Sequence, residues 1–162
     1  MNDSVADLCD AYSDQITLAE PLFRDFGGAE SFSGPITTLT VDGDFLLIKE
    51  TLSTAGDNGV LVIDGAGSTE FALLGDRLAA MARESQWSGL IINGCIRDIS
   101  VVRTISIGVK ALGVCPKRPS MIGGGELNKA VSFAGITFKP GEWVYADLDG
   151  IIVSAEKLQT LS

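Results

Sequence analysis

The chain has 162 residues and a mass of 17.0 kDa, and a chain of this length can bury most of its apolar side chains in one core. Its 12 basic and 21 acidic residues give a net charge of −9, which argues against direct binding to nucleic acid, because that binding depends on clustered lysines and arginines. The sequence has no histidine, so it cannot form a Ser-His-Asp triad, a Cys-His pair or a histidine-ligated zinc site. Any acid–base or metal chemistry must use aspartate, glutamate, arginine, lysine and water.

The sequence has no recognisable targeting signal, membrane-spanning run or cysteine motif. The first seven residues have neither the basic region nor the apolar core of a secretion signal, and no apolar run approaches the roughly 18 residues that span a bilayer. We therefore expect a cytoplasmic protein without membrane contact. Cys9, Cys95 and Cys115 are far apart and form no C-x-x-C motif, which predicts buried reduced thiols rather than disulfides or a metal site.

Strands and helices alternate through the first two thirds of the sequence. A weak capping signal at Ser4 begins the first predicted helix, and Pro21 with the Gly27-Gly28 pair marks the following stretch as a loop. A short continuous apolar run at 60–64 is typical of a strand that is buried on both faces. The predicted elements in this part are a helix over 4–13, a strand over 34–41, a helix over 44–54, a strand over 60–64, a helix over 76–86, a strand over 89–92, a helix over 100–105 and a strand over 108–115.

After Pro116 and Pro119 the pattern changes to short apolar segments separated by turn residues, which is typical of antiparallel sheet. Strands are predicted over 131–133, 135–138, 142–145 and 150–153, and a short helix is predicted from Ala155. No linker, charge block or repeat separates the two halves. We therefore expect residues 1–162 to form a single compact α/β domain, in which helices pack outside a layered, mixed β-sheet core.

Three glycine-containing segments resemble binding motifs. The segment 64–70 follows a predicted strand, but Glu70 stands where a dinucleotide-binding G-x-G-x-x-G motif needs its third glycine, so a tight turn is predicted instead. The segment 123–126 is either a mobile loop near a ligand or a plain flexible connection. The segment 147–150 contains two aspartates that could bind a metal, but a hairpin turn is the simpler interpretation.

The most informative segment runs from Gly75 to Asp98. A helix of eleven residues from Asp76 advances roughly 16 Å, and a strand from Gly89 returns about the same distance. The start of the helix should therefore lie beside Arg97 and Asp98. Exposed backbone N–H groups bind a carboxylate, Arg97 can form a bidentate contact with an oxyanion, and Asp98 offers a hard oxygen ligand for Mg²⁺ or Mn²⁺. The spacing predicts a crevice that binds an anion and a cation together.

The same residues carry a resemblance to a known family. Asp76, twenty intervening residues and then Arg97-Asp98 resembles the D-x20-R-D motif of class II pyruvate aldolases that cleave 4-hydroxy-4-methyl-2-oxoglutarate. Nearly the whole chain is also similar to the bacterial regulators of ribonuclease activity A, in segments such as 8–10, 20–23, 26–28, 145–147 and 150–152. The resemblance implies an RraA-like fold of the swivelling ββα type and assembly into a homotrimer, with each site beside a subunit boundary.

The aldolase branch of this resemblance implies a divalent-metal-dependent lyase that releases two pyruvates and decarboxylates oxaloacetate as a side activity. Asp98 is then the metal ligand, and the backbone of Gly75, Asp76, Arg77 and Leu78 binds the pyruvyl carboxylate of a small 2-oxo acid. Arg97 binds the substrate and stabilises the enolate oxygen, and Asp76 orients or activates a water that takes the 4-hydroxyl proton. In the regulators the aspartate after the arginine is typically replaced, whereas this chain has Asp98.

The regulator branch predicts a different class of function. A non-catalytic acidic trimer would cover the arginine-rich region of an endoribonuclease of the RNase E type and inhibit it. The net charge of −9 suits such a basic protein partner. The two functions do not exclude each other.

Overall fold

The computed structural model of the chain describes residues 1–119 and 124–161. Its fold is centred on a mixed β-sheet. The helices and strands of these residues, in chain order, are α1 (Val5–Ala11), β1 (Ile16–Leu18), β2 (Arg24–Asp25), β3 (Phe32–Val41), α2 (Leu46–Leu52), β4 (Val60–Asp64), β5 (Ala72–Leu74), α3 (Asp76–Glu84), β6 (Gly89–Ile96), α4 (Ile99–Val102), β7 (Gly108–Val114), β8 (Gly125–Leu127), β9 (Val131–Phe133), β10 (Ile136–Phe138), β11 (Trp143–Asp147) and β12 (Gly150–Ser154).

Parallel strands form the half of the sheet that carries α2, α3 and α4. The main path runs β1-β12-β11-β3-β4-β6-β7-β2, with β5 paired to β6 and β8 paired to β3. The pairs β3–β4, β4–β6, β5–β6 and β6–β7 are all parallel. Along β4, Leu61 and Ile63 pack with the core under α2 and α3, whereas Val60 and Val62 pack on the opposite face. The prediction of a strand buried on both faces is confirmed.

Antiparallel strands form the other half. β11 pairs with β3 and with β12, and β1 pairs with β12, all antiparallel, while β9 and β10 form a separate hairpin. This hairpin contributes Val131 and Phe138 to the second core, where they pack with Val62 and Val144. The predicted antiparallel half and the predicted mixed sheet with outer helices are therefore confirmed.

The predicted helix from Ala155 is wrong, because no helix occurs between 155 and the last described residue, Leu161. This segment is tied to β11 and β12 by contacts that a helix would not make. The Ser154 hydroxyl donates to the carbonyl of Glu156 at 2.6 Å, and the Leu158 N–H donates to Tyr145 Oη at 2.7 Å. The non-helical tail thereby covers a third small core that contains Leu158, Tyr145 and residues of α1.

Several other bounds differ from the predictions. β6 continues to Ile96 because its second half has two neighbours of its own, β5 and β7. The short strands β1, β2, β5 and β8 do not appear among the predictions. Of the segment 123–126, residue 123 lies outside the described residues, while Gly125 and Glu126 belong to β8 rather than to a flexible connection. A Cβ at 125 would lie 2.1 Å from the Thr40 carbonyl oxygen, so glycine permits this close pairing.

Candidate functional site

Asp98 joins the end of β6 to the start of α3. Its Oδ2 accepts a hydrogen bond from the backbone N–H of Asp76 at 3.1 Å. Asp98 has φ 60° and ψ 39°, a left-handed conformation that aspartate adopts more readily than most residues. Although Asp98 immediately precedes α4, its side chain makes no capping bond to that helix and instead satisfies the first free N–H of α3. The two segments that the sequence predicted to converge are in direct contact.

Arg97 is held beside this carboxylate by the strands on either side. Its backbone N–H donates to the Leu74 carbonyl at 2.9 Å, which fixes the end of β6 against the residue before Gly75. Its Nε lies 3.9 Å from Asp98 Oδ2, and its Nη1 donates to the Pro116 carbonyl at 3.4 Å. The side chain is 35% exposed. The guanidinium is therefore oriented by the protein and still reaches solvent.

Gly75 allows the Asp98 carboxylate to approach α3. Its backbone is extended, with φ −132°, so the conformation itself does not require glycine. A Cβ at this position would lie 2.6 Å from Asp98 Oδ2 and 3.6 Å from Arg97 Cγ and Nε. The residue type at 75 is therefore constrained by the side chains that converge on it.

The start of α3 supplies fewer free donors than the sequence suggested. The Asp76 N–H is used by Asp98, and the Arg77 N–H donates to Asp76 Oδ1 at 2.8 Å. Between residues 1 and 119 and between 124 and 161, the N–H groups of Gly75 and Leu78 have no protein acceptor. Two of the four predicted donors thus remain for a ligand, at a helix end whose partial positive charge favours anions.

All of the predicted site residues line one open cleft of about 940 Å³. Gly75, Asp76, Arg77, Leu78, Arg97 and Asp98 are among its walls. The other lining residues include three with an aromatic ring or a charge that no sequence motif indicated: Phe45 before α2, Lys49 in the last turn of α2, and Arg118 from the segment after β7. These three come from distant parts of the chain, so only the packing of the elements reveals that they share the cleft.

The charge of the cleft is opposite to that of the whole chain. Among the described residues, Lys49, Arg77, Arg97 and Arg118 line it, against the two carboxylates Asp76 and Asp98. The complete chain carries 21 acidic and 12 basic residues. A basic cleft in an acidic protein attracts a small anion.

The donor set of the cleft suits only part of the coordination shell of a divalent cation. In the described part of the chain, no group of three or more His, Cys, Asp or Glu side chains could hold a metal, so a site built wholly from protein ligands does not fit. Mg²⁺ is usually bound by one or two carboxylates, with water and substrate oxygens completing the shell. Asp98 fits that pattern, because its side chain is 38% exposed and both of its contacts with the described residues fall on Oδ2.

The three cysteines and the segment 147–150 are the remaining candidates from the sequence, and they lie outside the cleft. Cys95 is buried, and burial, with a smaller contribution from Cys115, raises the pKa of its thiol; Cys9 and Cys115 are only partly buried. In the segment 147–150, Asp147 Oδ1 accepts the Asp149 N–H at 2.9 Å within the turn that joins β11 and β12, which confirms the predicted hairpin.

The predicted tight turn after β4 is also present, with Ala66 at φ 57° and Gly67 at φ 71°.

None of the described helices has the length and apolar character needed to cross a membrane.

Comparisons with known proteins agree on the family. A family model described as RraA-like (Aldolase/RraA) matches residues 5–153. A Pseudomonas fluorescens protein named "Putative 4-hydroxy-4-methyl-2-oxoglutarate aldolase" is 50% identical over 153 residues, covering 94% of each chain. A similarly named protein of Alkalilimnicola ehrlichii is 46% identical over 98% of each chain.

Two solved structures are similar over almost the whole chain. One, from Geobacillus kaustophilus, is described as an S-adenosylmethionine:2-dimethylmenaquinone methyltransferase; it is 44% identical, with a TM-score of 0.94 and coverage of 96% of this chain and 97% of its own. The other, the RNA-processing inhibitor RraA from Thermus thermophilis, is 34% identical, with a TM-score of 0.94 and coverage of 99% and 98%. The predicted RraA-like fold is confirmed, and the chain belongs to the RraA-like family.

Proposed function

We propose that this protein is a divalent-metal-dependent aldolase that cleaves 4-hydroxy-4-methyl-2-oxoglutarate into two molecules of pyruvate. The observation that carries the proposal is the contact of the Asp98 carboxylate with the first N–H of α3, with the Arg97 guanidinium beside it. A hard oxygen ligand, an oriented guanidinium and a helix N-terminus thus lie in one basic cleft. The aldolase names of relatives that are 50% and 46% identical support the same reaction class.

In this proposal Asp98 holds Mg²⁺ or Mn²⁺, and water and substrate oxygens complete the coordination. When bound, the cation supplies Lewis-acid polarisation of the 2-oxo group. The geometry of the carboxylate suits this task, because its Oδ2 is fixed by the Asp76 N–H. Within the described part of the chain Oδ1 has no partner, so it is the oxygen that would hold the cation.

The remaining steps are assigned to side chains and backbone of this chain. The free N–H groups of Gly75 and Leu78 hold the carboxylate next to the 2-oxo group. Asp76 orients a water that removes the 4-hydroxyl proton. The bond between C3 and C4 then breaks, and its electron pair moves toward C3 and the 2-oxo oxygen, giving one pyruvate and the enolate of the second. The water that took the 4-hydroxyl proton returns a proton to C3, which converts this enolate into the second pyruvate. Arg97 donates to the oxygen on which charge develops, a task in which one donor contributes roughly 3–4 kcal/mol.

The same enolate explains a proposed side activity. Oxaloacetate has a carboxylate at the position where the longer substrate has its C4 carbon. Loss of CO₂ from that position leaves the enolate of pyruvate, and Arg97 stabilises the same oxygen. We therefore propose oxaloacetate decarboxylation in the same cleft, with the same requirement for Asp98.

Pyruvate release from 4-hydroxy-4-methyl-2-oxoglutarate tests the proposed reaction. The purified protein is assayed with Mg²⁺ or Mn²⁺, with excess EDTA, and with EDTA followed by restored metal. We expect turnover that EDTA removes and metal restores. Turnover that is unchanged in EDTA would remove the metal from the proposal, and no pyruvate under any condition would remove the aldolase activity.

A second candidate function is inhibition of an endoribonuclease by binding its arginine-rich region. The net charge of −9 and the similarity to an RNA-processing inhibitor favour this candidate. A pulldown with the ribonuclease tests it, and sensitivity of the complex to salt is expected, because exposed charges are screened. Asp98→Asn leaves such binding intact while removing aldolase activity, so this variant distinguishes the two functions.

We also propose that the protein works as a homotrimer with each cleft beside a subunit boundary. The cleft is open to solvent in the single chain, whereas enolate chemistry benefits from a site that excludes water. A neighbouring subunit would supply the missing wall. Light scattering is expected to give about three times the chain mass of 17.0 kDa, and activity is expected to fall on dilution to monomers. A fully active monomer would contradict this assembly.

A further inference from the structure

The outer edge of β1 has unused backbone hydrogen-bonding groups. β1 lies at one end of the main sheet path and pairs with β12 on one side only. The Ala19 N–H donates to the Ile151 carbonyl at 3.0 Å, and the direction of these groups alternates along an antiparallel strand. The N–H and C=O groups of Ile16 and Leu18 therefore face away from β12, and they have no partner among residues 1–119 and 124–161. The edge is open to a further strand.

A groove of about 740 Å³ runs beside this edge. β1 and β12 form one wall, and the β9–β10 hairpin forms the other, from which Gly135 and Thr137 line the groove. The two walls are joined at one end, where the Glu20 N–H donates to the Ala134 carbonyl at 2.8 Å. Ligand sites have volumes of roughly 300–1,000 Å³, so the groove is large enough for side chains of an extended peptide.

The two faces of β1 differ in chemistry. Leu18 is 61% exposed, the highest fraction among the large apolar side chains of the described residues. Since side chains alternate along a strand, Leu18 shares a face with Ile16, which packs against the third core beside α1. Thr17 lies on the opposite face and lines the groove. A strand added here would need an apolar side chain opposite Leu18 and polar side chains toward the groove.

The charges around the groove favour a basic occupant. Three carboxylates line it and have no ion-pair partner in the described part of the chain: Asp14, Glu142 and Glu156. Two lysines also line it, but the ammonium of one of them, Lys157, lies 5.1 Å from the centroid of the Trp143 ring. The first 23 residues, which include β1, contain no lysine or arginine. The groove therefore attracts positive side chains.

We infer that the β1 edge and its groove form a docking site for an extended peptide that alternates apolar and basic residues. The peptide adds to the sheet as an antiparallel strand and exchanges backbone hydrogen bonds with Ile16 and Leu18. Its apolar side chains lie beside Leu18, and its basic side chains enter the groove near Asp14. This site goes beyond the proposed aldolase function. It would also give the second candidate function a binding surface, although it does not require a ribonuclease as the partner.

Fluorescence anisotropy with a labelled six-residue peptide of alternating arginine and valine tests the docking site. In antiparallel addition, the residue opposite Leu18 shares its face and exchanges both hydrogen bonds with it, and that residue is a valine. N-methylation of the valines is therefore expected to weaken binding at least about tenfold, and N-methylation of the arginines less than about threefold. A glutamate–valine peptide should not bind. Equal affinity for the two methylated peptides would overturn the proposal.

Leu18→Pro tests the same bond from the side of the protein. Proline is tolerated on an edge strand where its nitrogen faces solvent, so this variant removes one outward N–H and keeps the ladder to β12. Leu18→Ala is the matched control, because it keeps the N–H. We expect a loss of affinity of about tenfold in the proline variant and less than about threefold in the alanine variant. Similar affinities of the two variants would contradict the added strand.

Light scattering of the same variants examines the other possible occupant, a second copy of the chain. The mass in solution should be the same for wild type, Leu18→Pro and Leu18→Ala, with circular dichroism as the fold control. A lower mass of the proline variant alone would assign the edge to a contact between copies and overturn the peptide site.

Asp14→Asn tests the charge of the groove. It is expected to weaken binding of the arginine–valine peptide about threefold and to reduce the dependence of binding on salt. Asp10→Asn is the matched control, since Asp10 is an exposed aspartate of α1 that does not line the groove. Equal effects of the two substitutions would contradict the placement of the basic side chains. These measurements contain no ribonuclease and no substrate, so their outcome is independent of the pulldown and of the pyruvate assay.

Discussion

One strand in the parallel region of the sheet and one in the antiparallel region have an aspartate at or just beyond their end, and the two carboxylates have different surroundings. Asp98, at the end of parallel strand β6, contacts the described residues through Oδ2 alone, and its side chain is 38% exposed in the cleft. Asp147, at the end of antiparallel strand β11, uses Oδ1 for the Asp149 N–H and Oδ2 for the Val5 N–H, at 2.9 and 2.8 Å. Asp147 uses both carboxylate oxygens for contacts within the chain, whereas Asp98 Oδ1 has no partner among residues 1–119 and 124–161.

Chain connectivity explains this difference. Parallel strands need crossover connections, so their carboxyl ends carry long loops and helix N-termini that leave a crevice between them. Antiparallel strands are joined by tight turns, in which an aspartate satisfies the backbone N–H groups of the turn itself. This difference favours Asp98, after a parallel strand, over Asp147, in a hairpin turn, as a candidate ligand.

The largest expected effect comes from Asp98→Asn. The amide oxygen can still accept the Asp76 N–H, and asparagine tolerates the left-handed conformation, so the fold should be kept. Loss of the negative charge should remove cation binding and lower metal-dependent turnover about 10³-fold or more. Turnover in the EDTA-sensitive pyruvate assay, with circular dichroism as the fold control, measures this. Wild-type activity at an unchanged metal requirement would remove Asp98 from the site.

Arg97→Lys is expected to cause the next largest loss. Lysine keeps the charge but cannot reproduce the planar donor arrangement that reaches both Asp98 and the Pro116 carbonyl. We expect kcat to fall about 10²- to 10³-fold, with a smaller change in KM. Steady-state kinetics separates the two parameters, and a near-wild-type kcat would rule out the role of Arg97 in stabilising the enolate.

Gly75→Ala tests whether the position of the Asp98 carboxylate matters. The new Cβ would start 2.6 Å from Asp98 Oδ2, so the carboxylate must move, although the backbone conformation suits alanine. A displacement of about 1 Å near the reacting groups can cost roughly 10²-fold in rate. We expect such a loss in kcat/KM, with a melting temperature close to wild type. Unchanged kinetics would show that the approach of Asp98 to α3 is not needed.

Asp147→Asn is the matched substitution in the antiparallel region and should have the smallest effect on activity. Replacing one carboxylate oxygen by an amide group weakens the bond to Val5 or Asp149 and is expected to cost about 1 kcal/mol of unfolding free energy. Urea denaturation measures that cost, and turnover should stay within about twofold of wild type. A loss of activity comparable to that of Asp98→Asn would contradict the contrast between the two regions.

Much of the fold follows from local sequence patterns. The apolar run of β4 and the turn residues at the β11–β12 hairpin are set by burial on two faces and by backbone conformation, which depend on neighbouring residues in the chain. The tail after Ser154 shows the limit of such patterns. Its course is decided by contacts with Tyr145, and no local periodicity encodes a contact with a distant strand.

The candidate site divides in the same way. Arg97 and Asp98 could be placed beside Asp76 from the sequence, because a helix and the strand that follows it return the chain by a predictable distance. The roles assigned to these residues stay predictions. The left-handed conformation of Asp98, the use of two α3 donors by the protein's own carboxylates, and the position of Lys49 and Arg118 in the cleft could not be predicted. These features depend on how elements distant in sequence pack together, and that packing is decided only in the folded chain.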